Sequence, residues 1–273
     1  MTMQWEELTM PDFVKLRDET GVCLITVGCL ERHGNHLPLG IDTINAHAIC
    51  RRAVEIEPAV IFPHYYFGQI SEARCFPGTV ALKPAMILDM LIAVIDEIGR
   101  NGFRKIIIVN GHGGNSEFLS FLLRDADNRR RDYIMYLFDI DRWYSADQKQ
   151  ARAKIIENNF GGHAHEEETS IALANVEQLV KMNDLLPDSV GAENKRLADV
   201  MSATTKTSFN WYSMFPEHYS GNARLSTKAK GEQLMTWITE NLAKAIRVVK
   251  NDKASEQIRD EFFKRENGIR SGK

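Results

Sequence analysis

The sequence predicts an α/β protein with three layers, α/β/α, built on a largely parallel sheet. Three observations predict it. Short apolar runs of strand length alternate with longer segments of helical periodicity. That βαβαβαβ order suits a parallel sheet covered by helices on both faces. The chemically unusual residues also fall just after the apolar runs, where ligands gather in such folds.

The elements follow in order. Val22 to Val27 (VCLITV) reads as a buried strand, 43–54 as a helix and 59–62 as a second strand. Pro84 suits the first turn of a helix. From there Ile87, Met90, Leu91, Val94, Ile95 and Ile98 recur at helical spacing, and Gly102 supplies the stop. Residues 103–109 (FRKIIIV) form the clearest strand. A glycine loop (110–115), a helix (116–128) and a strand (133–138) follow. Beyond them, 151–159 and 166–176 read as helices, 183–224 as loop-rich, and 227–249 as an amphipathic helix. The charged tail to Lys273 is expected to fray. No internal repeat or low-complexity linker interrupts the chain. One domain over 1–273 is expected, with its core at about 5–250.

Composition narrows the function. Lys and Arg number 34 against 37 Asp and Glu, a net charge of −3. That balance lacks the basic excess of a nucleic-acid binder. Cys23, Cys29, Cys50 and Cys75 form no CxxC pair and read as free thiols of a reducing compartment. The N-terminus MTMQWEELTMPDF has no signal-peptide pattern. The longest apolar run, 90–95, is too short to span a bilayer. A cytoplasmic protein without a membrane partner is expected.

Three segments carry chemistry, and they hold five of the eight histidines. The first is ERHGNHLPLGIDT, 31–43. If the strand continues to Glu31 and His33, both side chains share one face. A carboxylate beside an imidazole is half a site for zinc, manganese or iron. Pro38 and Gly40 let the loop return Asp42 to the same place before the next helix. An Asp N-cap with two surface histidines competes with that reading. The second segment is NGHGGN, Asn110 to Asn115. His112 would project from the sheet edge towards the first cluster. A nucleotide or phosphate cradle at a helix N-terminus is the rival, although the spacing matches neither common phosphate-loop pattern. The third is GGHAHEEETS, 161–170. Glu166 and Glu167 read as macrodipole-favoured residues of a first helical turn.

At these residues the sequence resembles the creatininase family, the creatinine amidohydrolases. The matching stretches are ERHGNHLPLGIDT, FPGTVAL, VNGHGGN and HAHEEETS, and the likeness extends over about 5–245. The resemblance implies a metal-dependent hydrolase of a small polar molecule, cleaving an amide or cyclic amide C–N bond with metal-activated water. It implies two divalent ions per chain, zinc first and manganese or iron next. It also implies a homo-oligomer, with a hexamer as first expectation. By position, Glu31 resembles a ligand of one metal, His33 of the other, Asp42 the bridging carboxylate and His112 a further ligand. His36 resembles a residue that orients a ligand. His163 resembles the histidine beside the substrate and the proton donor to the leaving nitrogen.

Two departures bear on the substrate. Creatinine-cleaving members carry a metal-binding glutamate where this chain has Gly114. Glu72 is followed by Ala73, where the family has a Glu-His pair. Both argue against creatinine itself. Glu168 is expected to fill the vacancy left at Gly114. A non-catalytic homologue is the remaining alternative.

Overall fold

The computed structural model describes residues 2–140, 143–157, 162–187, 196–203 and 205–270. Helix α1 (Met10–Thr20) starts at a Thr9 cap and stops at Gly21, whose φ of 66° suits a residue without Cβ. Strand β1 (Val22–Val27) is buried along its whole length. Helix α2 (Ile41–Ile56) then leads to β2, which pairs over only Val60–Ile61. Helix α3 (Pro84–Arg100) and β3 (Lys105–Asn110) follow, then α4 (Ser116–Asp125) and β4 (Ile134–Phe138).

The four strands are parallel in the order β2-β1-β3-β4. Strand periodicity divides the core. Val22 and Leu24 of β1, with Ile107 and Val109 of β3, enter one cluster. Cys23, Ile25, Ile106 and Ile108 point the other way, onto α1, α3 and α4. The first cluster is closed by α2 together with α6 (Glu166–Val176) and α9 (Lys228–Asn251). This is the α/β/α layering that the sequence predicts.

The chain winds from β1 to β2 in one direction and from β3 to β4 in the other. The reversal falls between β1 and β3, where open α/β sheets place their ligand crevice. Val27 is in register with Asn110, so the two loops leaving these strands emerge side by side.

Several boundaries differ from expectation. β1 ends at Val27, and the backbone N–H of Gly28 donates to Tyr65 O at 3.3 Å. Glu31 and His33 are therefore loop residues, not an extension of the strand. Asp42 lies inside the first turn of α2, whose cap is Gly40, so it is not an N-cap. Helix α5 (Ala146–Ile155) begins earlier than expected, at a Ser145–Gln148 capping box. Residues 158 and 159 of that expected helix lie outside the described residues. The 183–224 stretch holds two short helices, α7 (Ala198–Ser202) and α8 (Asn210–Met214). The tail does not fray over its described part. It forms α10 (Ala254–Arg270), which buries Phe263 and pairs Asp260 with Arg130 at 2.9 Å.

Helix α6 sits directly on α9 because Gly231 has no side chain. A Cβ there would lie 1.8 Å from the Ser170 carbonyl oxygen. Among the described residues no helix is long and apolar enough to cross a membrane.

Candidate active site

The loop after β1 is held by contacts that leave little choice of path. Gly28 packs on α2, where a Cβ would meet Thr43 Oγ1 at 2.3 Å. The N–H of Glu31 donates to Leu39 O at 2.9 Å. The loop thus doubles back, as Pro38 and Gly40 suggest, and brings Glu31 and His33 over the first turn of α2. From β3, the Asn110 carboxamide oxygen accepts from His112 N at 3.0 Å, and Asn115 Nδ2 donates to Val27 O at 3.2 Å. The glycine loop is therefore tied back to β1 with His112 turned towards Asp42.

Four expected residues meet there, all at least nine-tenths buried. His33 Nε2 lies 2.9 Å from Asp42 Oδ1, and His112 Nδ1 lies 3.0 Å from Asp42 Oδ2. Glu31 Oε1 is 2.7 Å from His112 Nδ1 and 3.7 Å from His33 Nε2. The two oxygens of Asp42 thus face two different imidazoles. His33 Nδ1 is 3.3 Å from the Glu31 carbonyl oxygen. A proton on Nδ1 satisfies that carbonyl, and Nε2 donates to Asp42 until a cation displaces that second proton, the orientation of a metal-ligating histidine.

The third segment supplies the opposite wall; its Gly161 lies outside the described residues. His163 exchanges backbone hydrogen bonds with Ser220, and its Nε2 donates to the Arg32 carbonyl at 2.8 Å. Its ring lies 4.2 Å from that of His33. Ala164 adopts φ 56°, uncommon for a residue with a side chain, and its N–H points at the Glu168 carboxylate. Glu168 offers an oxygen within 4.8 Å of donors on both His33 and Asp42. His36 Nε2 is 2.9 Å from Thr169 Oγ1, so it braces the start of α6.

The charges are mutually set. Burial pushes the His33 imidazole down, but Asp42 and Glu31 outweigh it and hold it up at about 10. His112 is likewise raised despite burial, chiefly by Glu31. Burial works against ionisation of Glu31 and Glu168, yet neighbouring histidines keep both carboxyls below their usual range, His112 foremost for Glu31 and His165 for Glu168. Burial and His33 depress His163 and His36 to about 4. Carboxylates that hold two buried imidazoles protonated form the charge pattern of a cation site. The donor set of nitrogen and oxygen also suits a borderline divalent ion.

The sequence missed four neighbours as parts of the site. His218 Nε2 lies 2.7 Å from Glu31 Oε2, reached by a loop 187 residues away. Cys29 Sγ lies 3.3 Å from Asp42 Oδ2. The period-two spacing of 29, 31 and 33 was its available signal. Trp211 from α8 and Glu72 line the same cavity, of about 500 Å³, with no local signal. Glu166 and Glu167 stand in the first turn of α6, as expected, and both also have side-chain partners. Glu166 is fully buried against Lys230 Nζ at 2.6 Å. Glu167 accepts from Tyr144 at 2.6 Å and Arg152 Nε at 2.7 Å. His64 stays outside the cavity, stacked on His47 at 3.7 Å.

Comparisons with known proteins identify the family and the fold. A family model described as creatinine amidohydrolase matches residues 6–246. A creatinine amidohydrolase of Pseudomonas putida is 27% identical over 265 residues, covering 88% of this chain and 95% of its own. A mycofactocin precursor peptide peptidase of Mycolicibacterium smegmatis is 36% identical over 115 residues, 39% of this chain and 45% of its own. A 3-dehydro-scyllo-inosose hydrolase of Thermotoga maritima is 29% identical over 178 residues, 62% and 55% respectively. Among solved structures, a zinc–zinc form of a creatininase variant superposes with a TM-score of 0.76 at 22% identity, covering 92% of this chain and all of that one. A manganese creatininase gives 0.77 at the same identity and coverage. All three relatives are hydrolases by name, and the chain belongs to the creatininase family, the creatinine amidohydrolases.

Proposed function

We propose that this chain is a metal-dependent hydrolase that cleaves an amide or cyclic amide C–N bond of a small polar molecule, other than creatinine itself. The observation that carries the proposal is the sharing of Asp42 between His33 and His112 at 2.9 and 3.0 Å, on the buried floor of a cavity. Glu31, Asp42 and His112 would hold one divalent ion, and His33, Asp42 and Glu168 a second. When bound, the pair supplies an activated water and polarises the carbonyl. The zinc–zinc and manganese forms named among similar creatininases support divalent metal.

The chain's own groups divide the remaining work. His163 Nε2–H is committed to the Arg32 carbonyl, which leaves Nδ1 as the nitrogen able to accept a proton. His163 takes a proton from the attacking water and returns it to the leaving nitrogen. Tyr144, Trp143 and Trp211 wall the cavity and limit water there. Gly114 lacks the glutamate that creatinine-cleaving members carry there, and Glu72 takes the adjoining space, which supports a substrate different from creatinine.

The nucleotide-cradle alternative has no comparable support. The loop spends His112 N on Asn110 Oδ1 and Asn115 N on His112 O. Asp139 lies against Asn110 at 2.7 Å, an unfavourable neighbour for phosphate.

Elemental analysis of protein purified without chelator tests the proposal, followed by hydrolysis assays on cyclic amides, formamides and short peptides before and after metal removal. About two ions per chain and metal-dependent hydrolysis are expected. Stoichiometric nucleotide without metal would overturn it. A cytoplasmic homo-oligomer, a hexamer first, completes the proposal. Light scattering at the 31.1 kDa of one chain would contradict the oligomer.

A further inference from the structure

The Glu31–Asp42–His112 group includes a fourth donor that these assignments leave unused. Cys29 is fully buried, with Sγ 3.4 Å from Glu31 Oε1 and 3.3 Å from Asp42 Oδ2. Donor atoms of Cys29, Glu31, Asp42 and His112 all lie within 4.8 Å of one another. A tetrahedral ion with bonds of about 2.0–2.3 Å keeps its ligand atoms about 3.3–3.8 Å apart. Both sulfur–oxygen separations fall in that range, while His112 Nδ1, at 2.7 Å from Glu31 Oε1 and 3.0 Å from Asp42 Oδ2, would move outward to admit the ion.

A plain thiol accounts for less of this geometry. One S–H proton can serve one acceptor, yet two carboxylate oxygens approach the sulfur almost equally. A cation among the four atoms satisfies all of them together. The position is also built. Gly28 clamps the chain to α2 beside Thr43, so Cys29 is fixed next to Asp42 and cannot swing to solvent.

Resting on the metal-centre reading above, we propose that Cys29 is the sulfur ligand of the ion held by Glu31, Asp42 and His112. That position therefore takes zinc in preference to manganese. Soft sulfur favours zinc, whereas manganese suits oxygen donors. The thiol proton leaves to solvent as the metal–sulfur bond forms. Cys29, Glu31, Asp42 and Glu168 then set four negative charges against two divalent ions, which repairs the deficit left by Gly114.

The test uses the full chain, stripped with chelator and reloaded with cobalt(II). Visible d–d bands report cobalt bound to protein, and a near-ultraviolet thiolate-to-cobalt band reports sulfur coordination. The charge-transfer band is expected in wild type and in Cys75→Ser, which removes the one exposed thiol. It should vanish in Cys29→Ser while the d–d bands persist. In that variant the preference for zinc over manganese should fall at least about tenfold, as when a metal's supporting groups are lost. Zinc-edge X-ray absorption of the wild type needs no variant and should show a zinc–sulfur shell at about 2.3 Å. Bound cobalt without the charge-transfer band, or a zinc shell without sulfur, overturns the Cys29 assignment and leaves the metal centre standing. Failure to bind either ion overturns both.

Discussion

Glu72 occupies the space beside Gly114 that a side chain there would claim: its Oε1 lies 3.0 Å from the position of the missing Cβ. The same Cβ would stand 2.5 Å from His112 Nε2. A side chain at 114 therefore displaces His112, and a glutamate introduced there would disturb one ligand while trying to add another. Gly114→Ala is expected to weaken metal binding by about 10–100-fold, the cost of disturbing a ligand's support. Gly113→Ala is the control, since its Cβ meets nothing within 4 Å. Equal metal affinity in the two variants would refute this account.

Asp42 and His36 should separate cleanly. Asp42 touches both imidazoles, whereas His36 is bonded to Thr169. After dialysis against metal-free buffer, Asp42→Ala should retain no metal. His36→Ala should retain both ions with a lower melting temperature, because the start of α6 loses its brace. Loss of metal from His36→Ala alone would reverse the assignment.

In the proposed centre Glu168 would be a carboxylate ligand of the second ion. Glu168→Gln keeps the shape but removes the charge, and metal content should drop from about two to one per chain. Glu166→Gln and Glu167→Gln should keep two ions, since those carboxylates are spent on Lys230 and on Tyr144 and Arg152. Two tightly held ions in Glu168→Gln would remove it from the centre.

Far from the cavity, His47 should make stability depend on pH. It is 2% exposed, and burial with His64 and Arg51 holds its imidazole down at about 4. An unfolded histidine titrates near 6.5, so between these values the unfolded chain binds the extra proton. The stability present above pH 6.5 is lost as pH falls towards 4. Urea unfolding at pH 6.5 and 4.5 should show a loss in wild type larger than in His47→Gln by up to about 2 kcal/mol. Equal losses would show that His47 contributes nothing.

Much of this was legible because the fold writes its pattern locally. VCLITV and the 103–109 run announce buried parallel strands, Glu31, His33 and His112 stand just beyond them, and Asp42 opens the helix that follows the first. What escaped depends on distant chain. The route of the loop after β1 is fixed by Gly28 against Thr43 and by Tyr65, not by strand propensity. His218 meets Glu31 only once the segment around Ser220 has paired with His163. Glu166 reads only as a first-turn glutamate, and its burial against Lys230 of α9 has no local signal. The tail reads as frayed because its composition is charged, and only packing of Phe263 shows that it is anchored.

The contact of Gly231 with Ser170 also decides how force travels in the molecule. With no side chain between them, α6 and α9 have no cushion and are expected to move as one lever. Glu168 rides on that lever, two residues before Ser170. His112 is moored instead to β1 through Asn115. Movement of that lever would shift Glu168 relative to His112, with Asp42 between them. A load applied at the Asn251 end of α9 would be felt first as a change in the Glu168–Asp42 spacing. Hydrogen exchange in the first turn of α6 should consequently rise and fall with that of α9, while the loop at 111–115 keeps its own rate.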